Sequence, residues 1–368
     1  MTGKQREELA TDLPLGGLET VALFEGAMPT GVTVSHEGRI FVNFPEWGDD
    51  VDATVAELRD DRPVPYPDDA INRTDENNLA GTFVSVQSVV VDPADRLWVL
   101  DTGSPMFERT QHGGPKLVCV DLRGDQVVQT ILVPQDVALP TSYLNDVRFD
   151  LRRGTEGTAY ITDSSDRGPN GIVVVDLASG ESWRRLHEHP SVKAESLTDH
   201  LPVVEGRPLV DDQGRPLVAM GSDGIAIGAD GDRLYYCPLA SSHLYSVATD
   251  ALADRGLDDD AVAATVRHEG DKGGAGDGLE SDAAGYVYAT NYEHNAVLRR
   301  SRDGSWETVA HDPRLLWPDT LSLATDGYLY VTANQLHRQP SFNGGRDLRR
   351  RPYALFRIRV DADPVLLR

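Results

Sequence analysis

The residues with the most suggestive chemistry open six similar stretches of this sequence. Each stretch begins with a side chain that offers oxygen atoms, and three of the six are aspartates. The opening residues are Thr30, Gln87, Asn145, Asp223, Asp277 and Asp319. Carboxylate and amide oxygens that converge on one point suit a hard cation such as Ca²⁺ or Mg²⁺. We therefore predict that Asn145, Asp223, Asp277 and Asp319 bind a metal, and that Thr30 and Gln87 contact a substrate.

A simpler explanation exists for each aspartate taken alone. Asp223 and Asp277 precede glycine, and an Asp-Gly pair can serve only to begin a tight turn. Matching positions in several repeats favour a shared site instead. Three carboxylates placed close together also need a cation or raised pKa values.

A second polar set ends the β-rich run that follows each opening stretch. Its members are Asn43, Asp101, Asp163, Asn291 and Asn334. We predict that Asp101, Asp163 and His294 move protons, since a histidine titrates near neutral pH. The alternative for His294 is a solvated loop side chain. The predicted substrate contacts are Asn43, Phe44, Asn291, Tyr292 and Asn334, with Trp47, Trp317 and Phe342 as either pocket walls or core residues.

Other catalytic signatures are absent from the sequence. It contains no Gly-x-Ser-x-Gly elbow, no His-Glu-x-x-His pair and no Cys-x-x-Cys pair. The glycine-rich run from Gly273 to Gly278 leads into a strand-like segment, so it lacks the helix that a phosphate-binding loop requires. We expect no organic cofactor.

The elements that must position these side chains are β-hairpins. In each stretch apolar residues alternate, a turn with Asp or Gly follows, and a second β-rich run returns, as in Thr30–Val34 and Ile40–Val42. Further strand-like runs lie between the hairpins, giving four strands per repeat, which is a propeller blade. We predict an all-β, six-bladed β-propeller whose first strands line a channel, with the polar residues at one mouth.

The ends of the chain and its insertions complete this prediction. The run Leu18–Leu23 should add the outer strand of the last blade and close the ring, which hides strand edges. Arg207–Val218 resembles an added hairpin, and residues 48–80 resemble a long functional loop. The basic run Arg346–Arg351 is expected to be solvated surface in preference to a binding patch. We predict one domain over residues 1–368, with residues 1–17 flexible.

Composition limits the partners. The formal net charge of −24 argues against nucleic acid and anionic membranes, and its simplest role is solubility. No apolar leader or membrane-spanning window is found, so we expect a soluble, cytoplasmic monomer or weak dimer that binds a small molecule. Cys119 and Cys237 are expected to be reduced, buried thiols, with one disulfide as the alternative.

Several stretches resemble the major royal jelly/yellow protein family, especially its bacterial members related to dopachrome tautomerase. They are Phe41–Trp47, Pro65–Asp68, Phe83–Gln87, Arg96–Gly103, Tyr143–Asp146 and Ser222–Ala226. The resemblance implies a six-bladed propeller. The chain is more distantly similar to gluconolactonase/regucalcin-like propellers, whose channel metal is held by Glu, Asn, Asn and Asp. Asn145, Asp223 and Asp277 match three of those ligands, but Thr30-Gly31-Val32 replaces Glu-Gly-Pro.

Three functions remain open from the sequence. The leading hypothesis is an enzyme at the channel mouth, either a lactonase-like hydrolase or an isomerase/cyclase, assisted by a divalent cation that polarises a carbonyl. The alternative is a non-catalytic binder of small amines, which relatives in the family imply and which an anionic, aromatic-walled site would suit. A third is a propeller used only for protein contacts.

Overall fold

Six four-stranded antiparallel sheets form the molecule in the computed structural model, which describes residues 13–368. Blade 1 contains β2 (Val32–Val34), β3 (Ile40–Asn43), β4 (Val55–Arg59) and β5 (Arg62–Pro65). Blade 2 contains β6 (Val86–Val91), β7 (Arg96–Asp101), β8 (Lys116–Asp121) and β9 (Gln126–Leu132). Blade 3 contains β10 (Leu144–Asp150), β11 (Thr158–Asp163), β12 (Gly171–Asp176) and β13 (Ser182–Arg185).

The remaining blades follow the same order along the chain. A short pair, β14 (Val203–Val204) and β15 (Arg207–Pro208), precedes blade 4. Blade 4 contains β16 (Ser222–Ile227), β17 (Arg233–Pro238), β18 (His243–Ala248) and β19 (Arg267–Asp271), with helices α1 (Thr249–Ala253) and α2 (Asp259–Ala263) before β19. Blade 5 contains β20 (Leu279–Ser281), β21 (Val287–Asn291), β22 (Ala296–Arg300) and β23 (Trp306–His311). Blade 6 contains β24 (Pro318–Leu323), β25 (Tyr328–Ala333), β26 (Tyr353–Arg359) and β1 (Leu18–Phe24).

The blades form a closed ring around one channel. The first strand of each blade contacts the first strand of the next, and β24 of blade 6 contacts β2 of blade 1. The strand β1 pairs with β26 from Leu18 opposite Ile358 to Phe24 opposite Tyr353. The predicted six-bladed propeller, closed by an N-terminal strand in the last blade, is therefore confirmed.

Bulges at the channel mouth explain how the opening residues reach the axis. Four inner strands change register at the opening residue, where one extra residue interrupts the pairing with the second strand. The interrupted positions are Gln87, Asn145-Asp146, Asp223-Gly224 and Asp319-Thr320. A bulge re-aims side chains that strict alternation would send to a sheet face.

Apolar side chains fill the spaces between neighbouring blades. The β10 and β11 residues Val147 and Ile161 pack with Leu100 and Leu117 of blade 2, for example, and all four are fully buried. The far end of the channel narrows to a cavity of about 70 Å³, beside which the C-terminal residues Pro364 to Leu366 lie. The chain therefore packs as sheets arranged around one channel.

Three predictions for loops and termini need correction or qualification. The predicted long loop over residues 48–80 contains β4 and β5, because blade 1 takes its two outer strands from this segment. The hairpin predicted at Arg207–Val218 begins earlier, with Val204 opposite Arg207, and continues as a bridge between Val210 and Pro216. The predicted flexible segment, residues 1–17, lies largely outside the described residues.

Cys119 and Cys237 are free and buried, as predicted. Within residues 13–368, no helix has the length and apolar character needed to cross a membrane.

Candidate functional site

Three buried carboxyl groups meet at the channel mouth. Asp223, Asp277 and Asp319 begin the inner strands of blades 4, 5 and 6, and they are only 3%, 6% and 3% exposed. Asp277 lies close enough for its charge to act on the carboxyls of both Asp223 and Asp319. Asn145 Nδ2 donates to Asp223 Oδ2 at 2.8 Å, and Asn334 Nδ2 donates to Asp319 Oδ2 at 2.6 Å. The structure therefore brings the four predicted metal ligands into one connected group.

Burial without a nearby cation raises the pKa of each acid in this group. Burial, and then the charges of Asp277 and Asp319, raise the pKa of Asp223 well above its usual range. Burial and the charge of Asp277 do the same to the pKa of Asp319. Burial raises the pKa of Asp277 to about 7, and the hydrogen bond that its carboxylate accepts from Trp317 limits the rise. Some of these carboxyls therefore hold protons near neutral pH.

One aromatic stack supports Asp277. Trp317 Nε1 donates to Asp277 Oδ2 at 2.8 Å. The indole of Trp317 lies flat on the ring of Tyr292, with 4.0 Å between centroids. Trp317 also stacks on the imidazole of His337 at 5.8 Å and meets the ring of Phe342 edge-on at 6.1 Å. Tyr292 is fully buried and donates its hydroxyl to the carbonyl of Leu239 at 2.8 Å. The predicted substrate contact Tyr292 thus lies at the site, where it supports Trp317.

A second aromatic group stands on the opposite side of the mouth. Tyr143 donates its hydroxyl to Gln87 Oε1 at 3.0 Å and accepts a hydrogen bond from Trp47 Nε1 at 2.9 Å. Phe107 stacks on both Tyr143 and Trp47, at 4.5 and 5.5 Å between centroids. Gln87 is thereby oriented by its neighbours, and the acids of blades 4 to 6 face an aromatic wall from blades 1 to 3.

A lid covers the mouth. We use this name for residues 193–221, which connect blades 3 and 4. Its side chains Val204, Leu209 and Val218 are buried in the same apolar cluster as Tyr292 and Trp317. The lid therefore packs on the aromatic stack that supports Asp277.

Two histidine–glutamate pairs hold the lid down. His200 Nε2 lies 2.9 Å from Glu293 Oε2 of blade 5, and His337 Nε2 of blade 6 lies 2.8 Å from Glu205 Oε2. Arg338 also donates its Nε to Glu205 at 2.9 Å. The hydrogen bond to Glu293 raises the pKa of His200, whereas burial lowers the pKa of His337. Polar contacts at the edge of the lid thus attach it to blades 5 and 6.

Asp101 and Asp163, predicted to move protons, lie in a different environment. Asp101 is fully buried and accepts from Lys116 Nζ at 2.7 Å and from the backbone N–H groups of Val84 and Ser85 at 2.7 and 3.0 Å. Asp163 likewise accepts from Arg184 Nη1 at 2.7 Å. These contacts favour a role in fixing the chain where it enters each inner strand, and the proton-transfer role stays a prediction.

The other predicted site residues divide between the mouth and its surroundings. Asn43 Nδ2 donates to Thr30 Oγ1 at 2.9 Å, and both side chains are fully buried at the mouth. Asn291 Oδ1 accepts from the backbone N–H of His294 at 3.0 Å, which fixes the turn after β21. The side chain of His294 is exposed in this turn, away from the acids.

Phe44 also lies apart from the acids. It packs edge-on against Phe24 of β1, with 5.6 Å between ring centroids. The predicted substrate contact is therefore part of the packing between blades 1 and 6.

The donor set does not fit a divalent cation as it is arranged. Among residues 13–368, no three His, Cys, Asp or Glu side chains are grouped so that they could hold a metal ion. Each acid directs an oxygen at an N–H donor, and blade 1 supplies the hydroxyl of Thr30 in place of a carboxylate. The predicted Ca²⁺ or Mg²⁺ stays a prediction.

The sequence reasoning missed several residues that complete the site. Tyr143 directly precedes the Leu-Asn-Asp motif, and its position next to an opening residue was the available signal. Below the mouth, Asp146 accepts from Arg148 Nη1 at 2.9 Å and from Ser88 Oγ at 2.6 Å. Glu280 lies 3.8 Å from the same guanidinium. This cluster joins the inner strands of blades 2, 3 and 5, and the register shift after Leu144 lies at Asp146.

Comparison with known proteins identifies the family. The sequence model of the family described as major royal jelly protein matches residues 84–363. The chain belongs to the major royal jelly protein family. It is 27% identical over 339 residues to L-dopachrome tautomerase yellow-f of Drosophila melanogaster, which covers 84% of this chain and 74% of that protein. It is 28% identical over 249 residues to protein yellow of Drosophila erecta, covering 64% of this chain but only 44% of that protein.

Solved structures agree on the architecture of this family member. Regucalcin from Agrobacterium tumefaciens, described as a calcium-binding protein, aligns with a TM-score of 0.56 at 14% identity, covering 95% of this chain and 98% of that one. A luciferin-regenerating enzyme aligns with a TM-score of 0.57 at 10% identity, covering 96% and 98%. At such low identity these alignments support the propeller fold alone, as the sequence resemblance implied.

Proposed function

We propose that this chain is an isomerase that moves a proton within a small ring compound at the channel mouth. The observation that carries the proposal is the pair of buried carboxyls, Asp223 and Asp277, which interact electrostatically and have no cationic partner among the described residues. A pair that retains one proton near neutral pH contains a general acid and a general base side by side. The similarity to L-dopachrome tautomerase yellow-f, whose name states a proton-transfer isomerisation, supports the same class of reaction.

The chemistry follows from the different environments of the two acids. Burial and two neighbouring carboxyls favour the protonated form of Asp223, whereas Trp317 stabilises the carboxylate of Asp277. Asp277 would therefore accept a proton from a carbon of the substrate, and Asp223 would donate one to an oxygen or to another carbon. The pair holds the same number of protons before and after, so no co-reactant is needed. The lid would exclude water, which keeps both pKa values displaced.

The test uses L-dopachrome, the compound in the relative's name, as the first substrate. We expect purified protein to accelerate its isomerisation above the uncatalysed rate, followed by the loss of its visible absorbance and by product analysis. Asp277→Asn should lower kcat by about 10²–10⁴-fold, because the amide cannot accept the proton. Asp69→Asn is the matched control, since Asp69 is exposed and far along the chain from every mouth residue. Turnover that survives Asp277→Asn would contradict the assignment.

A second candidate function is the binding of a small amine without turnover. It is favoured by three buried carboxyls that have no cationic side chain as a hydrogen-bond partner among the described residues, next to the rings of Trp317 and Tyr143. An ammonium group would neutralise the acids and lie against the aromatic faces. If small aromatic amines raise the melting temperature while dopachrome and a panel of lactones stay unchanged, binding replaces isomerisation. Hydrolysis of a lactone would instead point to the hydrolase predicted from sequence.

A further inference from the structure

A groove outside the channel carries an unusual local charge. It lies between the lid hairpin and the loop that joins β25 to β26, and its volume is about 760 Å³. Four arginines and two acidic side chains line it, although the whole chain has a net charge of −24. The charged lining residues are Glu205, Arg207, Arg338, Asp347, Arg349 and Arg350. Apolar side chains, among them Leu209, Phe342 and Leu348, form the remaining walls.

Two of the four arginines are neutralised within the protein and two are not. Arg349 is paired with Asp49 at 2.9 Å and with Asp347 at 2.8 Å, and Arg338 is paired with Glu205. The guanidinium groups of Arg207 and Arg350 form no ion pair or hydrogen bond with any residue in the range 13–368. The groove therefore presents two free positive charges beside an apolar surface.

Glu205 shows which kind of group this groove accepts. Arg338 donates its Nε to Glu205 Oε2 at 2.9 Å and its Nη2 to Oε1, a fork that suits a planar carboxylate, and His337 Nε2 lies 2.8 Å from Oε2. These partners lower the pKa of Glu205 to about 2. Glu205 belongs to the tip of the lid hairpin and has a positive φ of 50°, so the backbone bends sharply to deliver this carboxylate.

We propose that the groove binds a small organic acid, whose carboxylate takes the place of Glu205 at Arg338 and His337 while its apolar body lies against Leu209 and Phe342. Arg207 and Arg350 add positive charge to the groove, and neither guanidinium is paired with Glu205. Displacing Glu205 breaks one of the two histidine–glutamate pairs that hold the lid. His337 also stacks on Trp317, which holds Asp277, so an occupied groove contacts the channel site through one ring.

The binding claim is independent of the proposed isomerase activity, since it can be measured without turnover. Benzoate is the probe, benzamide is its neutral isostere, and titration calorimetry on the full chain gives the affinity. We expect benzoate to bind at least about tenfold more tightly than benzamide. The double variant Arg207→Gln/Arg350→Gln should weaken benzoate binding by about tenfold or more, whereas Arg123→Gln, an exposed arginine on the opposite face of the propeller, should not.

The variant Glu205→Gln tests whether benzoate competes with the Glu205 carboxylate for Arg338 and His337, or is only attracted by the positive charge of the groove. Because the amide is a weaker partner for Arg338 than the carboxylate, this variant should bind benzoate several-fold more tightly than the wild-type protein. Equal affinity for benzoate and benzamide, or an unchanged affinity in the double arginine variant, would overturn the proposal. Tighter binding of phenyl phosphate than of benzoate would overturn the carboxylate assignment. Melting curves for each variant check that the fold is retained.

Discussion

At the scale of single residues, the carboxyls at the channel mouth are costly to ionise, because they are buried beside one another. Asp277 sits under the lid with no cationic partner, so burial raises its pKa to about 7. An unfolded aspartate has a pKa of about 3.9. Between these two values the folded protein binds more protons than the unfolded chain, and stability must fall as pH rises through that window. The same displacement that suits proton transfer therefore weakens the fold.

Asp277→Asn should reveal this cost directly. The amide stays neutral, so the variant loses less stability than the wild-type protein between about pH 4 and pH 7. We expect a relative gain of about 2–4 kcal/mol at pH 7 and above, and little difference below pH 4. Urea unfolding at a series of pH values measures it, with Asp69→Asn as the control. A parallel pair of stability curves for wild type and Asp277→Asn would contradict a raised pKa.

Asp101 illustrates the opposite case of a buried acid with a dedicated partner. Its carboxylate lies 2.7 Å from Lys116 Nζ, and both side chains are at most 1% exposed. The pair fixes the entrance to β6 through the N–H groups of Val84 and Ser85. Such a pair contributes to the stability of the fold, because removal of one partner leaves an uncompensated charge in the interior.

Lys116→Met tests this structural role. The substitution should destabilise the protein by about 3–5 kcal/mol, and a second change, Asp101→Asn, should recover part of the loss. Lys193→Met is the matched control, since Lys193 forms an exposed ion pair with Glu188 that is worth at most about 1 kcal/mol. Chemical denaturation gives all three values. Full stability in Lys116→Met would contradict the structural role of the Lys116–Asp101 pair.

At the scale of elements, the spacing between blades depends on glycines next to the acids. A Cβ on Gly224 would lie 2.2 Å from the carbonyl oxygen of Asp277, and one on Gly278 would lie 2.3 Å from that of Asp319. Neither glycine has a positive φ, so the Asp-Gly pairs do not form the tight turns that the sequence suggested as an alternative. Glycine is needed because each inner strand passes close to the next blade, which is also what brings the acids together.

Gly224→Ala should therefore disturb stability and the site at once. The new methyl group would meet the backbone carbonyl oxygen of Asp277 at 2.2 Å and the side chains of Leu279 and Cys237 at 3.0 and 3.1 Å, so overpacking should cost about 1–3 kcal/mol. The movement of blade 4 away from blade 5 would separate Asp223 from Asp277 and lower turnover. Gly26→Ala is the control, because a Cβ there meets nothing within 4 Å. Thermal unfolding and the dopachrome assay measure both effects, and a variant with unchanged melting temperature would contradict the close approach.

At the scale of the whole molecule, the ring depends on one strand from the other end of the chain. The strand β1 covers the outer edge of β26, and its Phe24 is buried against Phe44 of blade 1. Without β1 the edge of β26 would expose unpaired N–H and carbonyl groups. Ring closure thus joins blade 6 to blade 1 and also protects the last edge.

A chain that starts at Gly26 should form larger assemblies than the full chain does. Its free β26 edge is expected to pair with other molecules, which size exclusion with light scattering detects as larger species. Leu23→Thr is the control within the same strand, since Leu23 is 52% exposed and its backbone pairing is retained. A truncated chain that remains a monomer with the wild-type melting temperature would contradict the role of β1 in closure.

The sequence by itself determined the architecture of this protein. Each of the six repeats consists of alternating apolar residues, a turn and a second β-rich run. These are local signals, so each repeat predicts its own hairpin independently of the other five. The outer strand Leu18–Phe24 was also predictable, since a last blade with one strand too few required a partner. The position of Asp223, Asp277 and Asp319 at the mouth followed from the same repeat.

Only the tertiary structure decided what surrounds those acids. The lid, the bulge that turns Asp146 inward and the stack of Tyr292, Trp317 and His337 join residues far apart in the chain. No local pattern records such contacts, because a side chain's partners depend on how the blades close around the axis. For the same reason Asp101 and Asp277, both aspartates beside a strand, differ in chemistry: one lies against a lysine and the other against carboxyls.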